Sequence, residues 1–279
     1  MAKIIAISNQ KGGVGKTTTS INLAASLAAT RRRILLVDMD PQGNATTGSG
    51  VDKNDVEFCG YDLLVSKTPV AEVKVHVEDA GYDLIPGNSD LTAAEVELMT
   101  KFDRERQLHY LFKEIAEDYD YIIIDCPPSL NMLTVNAMVA AHSVLIPLQC
   151  EYYALEGLSA LNDTISSIKE TLNPQLKIEG ILRTMFDPRN RLGIEVSRQL
   201  LEHFNDKVYR TVIPRNVRLA EAPSYGQPII NYDRSSKGAR AYLALAGEML
   251  RRDDGSDKKK AKKDSNKQAK KHGKKSKTA

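Results

Sequence analysis

The sequence predicts an α/β fold, a mostly parallel twisted sheet with helices on both faces. Three observations predict it. Apolar runs without polar alternation, such as Ile4-Ile5-Ala6-Ile7 and Ile122-Ile123-Ile124, suit strands buried on both faces. Such runs alternate with stretches of helical periodicity, the pattern of a parallel sheet covered by helices. A glycine-rich run, Lys11-Gly12-Gly13-Val14-Gly15-Lys16-Thr17-Thr18, stands between the first strand and the first helix.

In chain order, the apolar stretch at 3–8 is the first strand. The Ala/Leu-rich segment around Ile21–Ala28 makes 16–29 the first helix. Further strands are expected at 34–38, 82–85, 121–125, 143–148, 178–185 and 208–213. Further helices are expected at 104–118, 131–141, 154–171, 192–204 and 236–251. Residues 49–80 have mixed composition and weak periodicity, and little is assigned to them. The polar motifs fall just after strands, at the carboxyl edge where open α/β sheets bind ligands.

A chain of 279 residues with 42% hydrophobic content can bury a full core as one large domain, expected over residues 1–250. No apolar run approaches the ~20 residues of a membrane span. The first strand starts at once, which predicts a chain without a secretion leader and a cytoplasmic location. Cys59, Cys126 and Cys150 have neither metal-ligand spacing nor the pattern of a disulfide framework. Charge is uneven. Residues 251–279 hold thirteen basic residues against four aspartates, a net +9, so the first 250 residues carry −6 of the chain's overall +3. That lysine-rich tail has almost no large apolar side chains, is expected to be disordered, and is suited to polyanions.

The glycine run has the setting of a phosphate-binding loop. Its small residues let backbone N–H groups wrap a polyphosphate, and the helix N-terminus adds positive partial charge. Lys16 is expected on the terminal phosphates and the Thr17 hydroxyl on a magnesium ion. The usual G-x-x-x-x-G-K-[ST] pattern is broken, because its first glycine falls at Gln10, and a second lysine, Lys11, stands at the front. Lys11 reads either as a solvated surface lysine or as a group that reaches phosphates held by a second copy, as an arginine finger does.

Asp125 ends the strand at 121–125, where a carboxylate holds magnesium, through a water. Asp38 closes the strand at 34–38, and Asp40 follows it, just before Pro41. A carboxylate there can orient the water that attacks a γ-phosphate, and the residues alone do not separate the two. Pro214 and Asn216 read either as a plain turn or as a cover and a hydrogen-bonding partner for adenine. Arg189, Arg191, Arg215, Arg218, Arg234, Lys237 and Arg240 have few acids between them. Placed on one face, they would bind a phosphate backbone without reading sequence.

Five motifs in this order resemble the ParA/MinD family of ATPases and, within it, the chromosomal ParA branch called Soj. They are the deviant Walker A run at 11–18 and the segments Leu35–Asn44, Ile122–Ser129, Gln149–Leu158 and Ile213–Ser224. The resemblance covers residues 1 to about 250. It implies a P-loop NTPase fold of the SIMIBI type, ATP and Mg²⁺ as ligands, and Asp40 as the carboxylate acting on the attacking water, itself within one water of the metal. It also implies Pro214 and Asn216 around the base, with Arg189 and Arg218 on a non-specific double-stranded DNA surface. The family further implies a homodimer closed around ATP, with each Lys11 on the partner's phosphates. It implies slow hydrolysis stimulated by a ParB/Spo0J-type centromere-binding protein, a link to a replication-initiation protein, and association with the nucleoid.

Two rivals follow from the same resemblance. A MinD-type division-site membrane ATPase needs a C-terminal amphipathic helix with bulky apolar residues, where this tail offers lysine with Ala261 and Ala269. An ATP-binding DNA scaffold without turnover is opposed only by Asp40. A metal-cluster carrier is excluded by the lack of a closely spaced cysteine pair.

Overall fold

The computed structural model describes residues 1–255. Eight strands form one sheet: β1 (Lys3–Ile7), β2 (Ile34–Asp38), β3 (Val75–Val77), β4 (Tyr82–Ile85), β5 (Tyr121–Asp125), β6 (Ser143–Gln149), β7 (Lys177–Phe186) and β8 (Val208–Pro214). Their order is β3-β4-β2-β5-β1-β6-β7-β8. Every neighbouring pair is parallel except β3 with β4 at the edge.

The helices are α1 (Lys16–Ala28), α2 (Asn44–Gly48), α3 (Val70–Val73), α4 (Leu91–Leu98), α5 (Gln107–Ile115) and α6 (Met132–Ala140). After them come α7 (Ala154–Thr171), α8 (Arg191–Phe204), α9 (Val217–Glu221), α10 (Ile229–Tyr232) and α11 over 237–255. Successive strand side chains point to opposite faces, so each apolar strand feeds two cores. Ile4 and Ala6 of β1 join the core beneath α4 to α8, whereas Ile5 and Ile7 join the core beneath α1 and α9 to α11. This double coverage is why the strands are apolar throughout rather than alternating.

The structure adds to the sequence reading in the segment 49–80. That segment holds a π-helical turn (Asp62–Ser66), α3 and the antiparallel edge strand β3. A strand of three residues is too short to leave a period in the sequence. Helix α5 is shorter than the expected 104–118: Arg106, its N-cap, sits at φ −112 and ψ 4, outside the helical region, and the helix ends at Ile115.

Helix α11 continues to residue 255, five residues beyond the boundary drawn from composition. Its end is tied to the globule. The Arg252 guanidinium lies 4.0 Å from the Tyr209 ring centroid and donates to the Asp206 and Val208 carbonyls. Asp253 accepts from Lys3 Nζ and the Tyr121 hydroxyl. Residues 256–279, most of the expected tail, lie outside the described residues.

Strand β1 lies between β5 and β6; the chain leaves it toward β2 on one side, and the connection after β5 crosses to β6 on the other. That is the topological switch point at which open α/β sheets form a crevice beyond their carboxyl ends. The glycine loop follows β1, Asp40 follows β2, Asp125 closes β5, Glu151 follows β6, Met185 lies near the end of β7, and Asn216 follows β8.

Candidate nucleotide-binding site

The loop after β1 is shaped by glycines at positive φ, Gly13 at +74 and Gly15 at +87, conformations a side chain would strain. Gly15 is the N-cap of α1 and no side chain caps that helix, which leaves its first N–H groups to an anion. The loop is braced from β7, because Thr184 Oγ1 donates to the Val14 carbonyl at 2.7 Å.

Lys16 is only 7% exposed, and its Nζ donates to the Lys11 carbonyl at 3.4 Å. Burial holds its pKa below the ordinary lysine value, against the pull of Asp125. Gly12, Gly13, Gly15, Lys16, Thr17 and Thr18 face a cavity of about 770 Å³ that Asp40, Pro214 and Asn216 also line. Val14 is buried beneath the loop. Lys11 stands apart from this cavity. Its backbone N–H donates to Asn9 Oδ1, and its ammonium pairs with the Glu151 carboxylate at 2.5 Å.

Geometry distinguishes the two carboxylates that the sequence left open. Asp38 is fully buried: its Oδ1 accepts from the Asp40 N–H, and its Oδ2 accepts both the N–H and the hydroxyl of Thr46 at 2.8 Å. Thr46 in turn accepts from the Gly87 N–H. Asp38 is therefore a brace between the end of β2, the loop after it and the segment after β4. Its burial pushes its pKa up to about 6, against the hydrogen bonds from Thr46. Asp40 lines the cavity, and its Oδ1 accepts from the Gln42 N–H.

Asp125 lies beneath the loop with no solvent exposure. Its Oδ1 accepts from the Ser20 hydroxyl at 2.7 Å, and its Oδ2 is buried with no hydrogen-bond partner. Burial first, and then the neighbouring Asp38, push this carboxyl up to about 8, against the hydrogen bond from Ser20. An orphaned carboxylate oxygen beside a second carboxylate is the kind of place a divalent cation relieves. Among the described residues, no group of three or more His, Cys, Asp or Glu is placed to hold a metal. The donor set therefore fits an ion that takes most of its ligands from phosphates and water, as Mg²⁺ does, rather than one held in an all-protein cage.

Just after β8, Asn216 caps α9, its Oδ1 accepting from the Leu219 N–H at 3.2 Å. The cap engages that carbonyl, and Asn216 also lines the cavity. Pro214 ends β8 on the same wall. The two arginines expected on a DNA surface are both in ion pairs. Arg189 grips both oxygens of Asp187, and Arg218 pairs with Glu221 at 2.9 Å and with Asp233 at 3.7 Å. Sequence reasoning missed Ser20, Thr184 and Tyr242. Ser20 was findable, one helical turn beyond Lys16 on the same face; Tyr242 reaches the cavity from α11 and left no local signal.

Residues 2–178 match the AAA domain family. The sporulation initiation inhibitor protein Soj of Bacillus subtilis is 56% identical over 249 residues, covering 89% of this chain and 98% of that protein. The chromosome partitioning protein ParA of Myxococcus xanthus is 54% identical over 253 residues, covering 91% and 89%. A crystal structure of cobyrinic acid a,c-diamide synthase from Mycobacterium smegmatis, with bound ADP and magnesium, superposes with a TM-score of 0.79 at 37% identity, covering 90% of this chain and 95% of that one.

Proposed function

The chain belongs to the ParA/Soj family of chromosome-partitioning ATPases, and from that membership we propose that it is a DNA-segregation switch driven by ATP binding and hydrolysis. One observation carries the reading. The loop with Lys16 and Thr17, the carboxylate of Asp40 and the amide of Asn216 share one cavity, while Lys11 is held outside it by Glu151.

In this reading the loop N–H groups and Lys16 hold the ATP phosphates, Asn216 and Pro214 hold the base, and Asp40 orients the attacking water. Thr17, and Asp125 through a water, would hold Mg²⁺, with Asp40 within one water of it. Bound there, Mg²⁺ supplies positive charge to the β- and γ-phosphates. Two protomers close face to face, each Lys11 leaving Glu151 for the partner's phosphates. The closed dimer binds double-stranded DNA without sequence preference through Arg189 and Arg218, and a ParB/Spo0J-type partner stimulates hydrolysis and release. No described helix is long and apolar enough to cross a membrane. The test of the whole reading is ATP turnover measured with and without DNA and a centromere-binding partner. Turnover that neither ligand changes would overturn it.

Two expectations arise here. Lys11→Ala retains ATP binding but loses the ATP-dependent dimer in sedimentation, and its stimulated turnover falls by on the order of 10²-fold or more. An ATP-dependent dimer with normal stimulated turnover would remove Lys11 from the trans role. Arg218→Glu and Arg189→Glu each lower DNA affinity by about tenfold or more at moderate salt, equally on unrelated sequences, because phosphate contacts carry no sequence information. A loss confined to one sequence in a gel-shift series would contradict it.

A further inference from the structure

Tyr225 ends the 3₁₀ turn Ala222–Tyr225 and is 66% exposed. A single exposed aromatic needs no explanation, but this one belongs to a built cluster. Its ring stacks on Tyr232 with centroids 4.9 Å apart and planes 30° from parallel, so one face is backed and the other looks outward. The Tyr232 hydroxyl and the Arg218 guanidinium donate to the same oxygen of Glu221, at 3.3 and 2.9 Å. The stack and the arginine are therefore one unit.

The turn beneath the stack is fixed. Gly226 sits at φ +62, and a Cβ there would lie 2.6 Å from Gly50 Cα; a Cβ on Gly50 would lie 2.8 Å from the Gly226 carbonyl oxygen. Two glycines let the backbones touch, which docks the tyrosine turn onto the segment after α2. A ring held in place on a fixed turn loses little freedom on binding.

Charge identifies the partner. Residues 215–240 expose Arg215, Arg218, Arg234, Lys237 and Arg240 against only Glu221 and Asp233, a net +3 on a body whose first 250 residues carry −6. A basic stretch on an acidic globule suits a polyanion, and tyrosine hydroxyls are regular donors to DNA phosphates.

We propose that Tyr225 contacts DNA, its outward face against a deoxyribose and its hydroxyl on a phosphate of the duplex beside Arg218. This rests on the DNA-binding reading given above.

The test is the ATP-dependent affinity of the full chain for unrelated duplexes, by fluorescence anisotropy, in Tyr225→Ala, Tyr225→Phe and Arg218→Glu. Tyr225→Ala is expected to weaken binding about tenfold and Tyr225→Phe about threefold, on every duplex alike. Thermal unfolding midpoints serve as the folding control. Should the alanine variant fail to fold, the phenylalanine variant still reads the hydroxyl. Wild-type affinity in both tyrosine variants alongside loss in Arg218→Glu overturns the tyrosine contact and leaves the DNA surface standing. Wild-type affinity in all three overturns both. A loss seen only with single-stranded probes overturns the duplex contact in favour of stacking on unpaired bases.

Discussion

Replacing Lys16 with alanine is expected to lower ATP affinity by on the order of 10²-fold or more, and turnover with it. Among the described residues Lys16 is the one buried lysine, its ammonium donating to the Lys11 carbonyl beside Asp125 and Asp40. Removing it leaves the terminal phosphates facing those carboxylates with one positive charge fewer. Burial magnifies the effect, since the lost charge cannot be replaced by bulk solvent. Isothermal titration with a non-hydrolysable ATP analogue measures it. Affinity close to wild type in the variant would mean that the nucleotide does not sit on this loop.

Asp40→Ala gives the opposite signature: ATP binding close to wild type with turnover lowered by about 10²–10⁴-fold, the range for removing a positioned base. The ATP-bound dimer then persists, and DNA association is prolonged. Asp38→Ala is the control that makes the result specific. Asp38 accepts three hydrogen bonds and is sealed from solvent. Its removal leaves the Thr46 N–H and hydroxyl and the Asp40 N–H unsatisfied, so its main effect is a lower unfolding midpoint, worth about 2–4 kcal/mol. Single-turnover kinetics beside thermal unfolding separate the two roles. Normal hydrolysis in Asp40→Ala, with a stable but inactive Asp38→Ala, would exchange the assignments.

The sequence was most legible where local chemistry and position coincide. The run from Lys11 to Thr18 needed no tertiary information, because a strand, a glycine loop and a helix start are all written within a few residues. The central strands were legible for a related reason: a parallel strand covered on both faces must be apolar throughout. The pair Asp38 and Asp40 was not resolved by local reasoning. Two carboxylates two residues apart at the end of a strand look alike until Thr46 and Gly87 are brought against one of them. The short elements between 49 and 80 were equally silent. β3 is defined by its pairing with β4, and a three-residue strand holds no period to detect.

The sequence by itself determined the layered α/β architecture, the glycine loop after the first strand and its second lysine, and the acidic body with a basic end. Each of these depends on residue type and near-neighbour spacing. Only the tertiary structure decided which groups meet. It paired Lys11 with Glu151, 140 positions away, and set Thr184 under the loop of Val14, 170 positions away. It used the Asn216 carbonyl as a helix cap, and it carried α11 past residue 250 by docking Arg252 and Asp253 on β8, β1 and β5. The physical reason is common to all of them. A hydrogen bond or ion pair forms when folding brings its two ends together, and the free energy that holds them there comes from the cores on either side of the sheet, not from the residues at the contact.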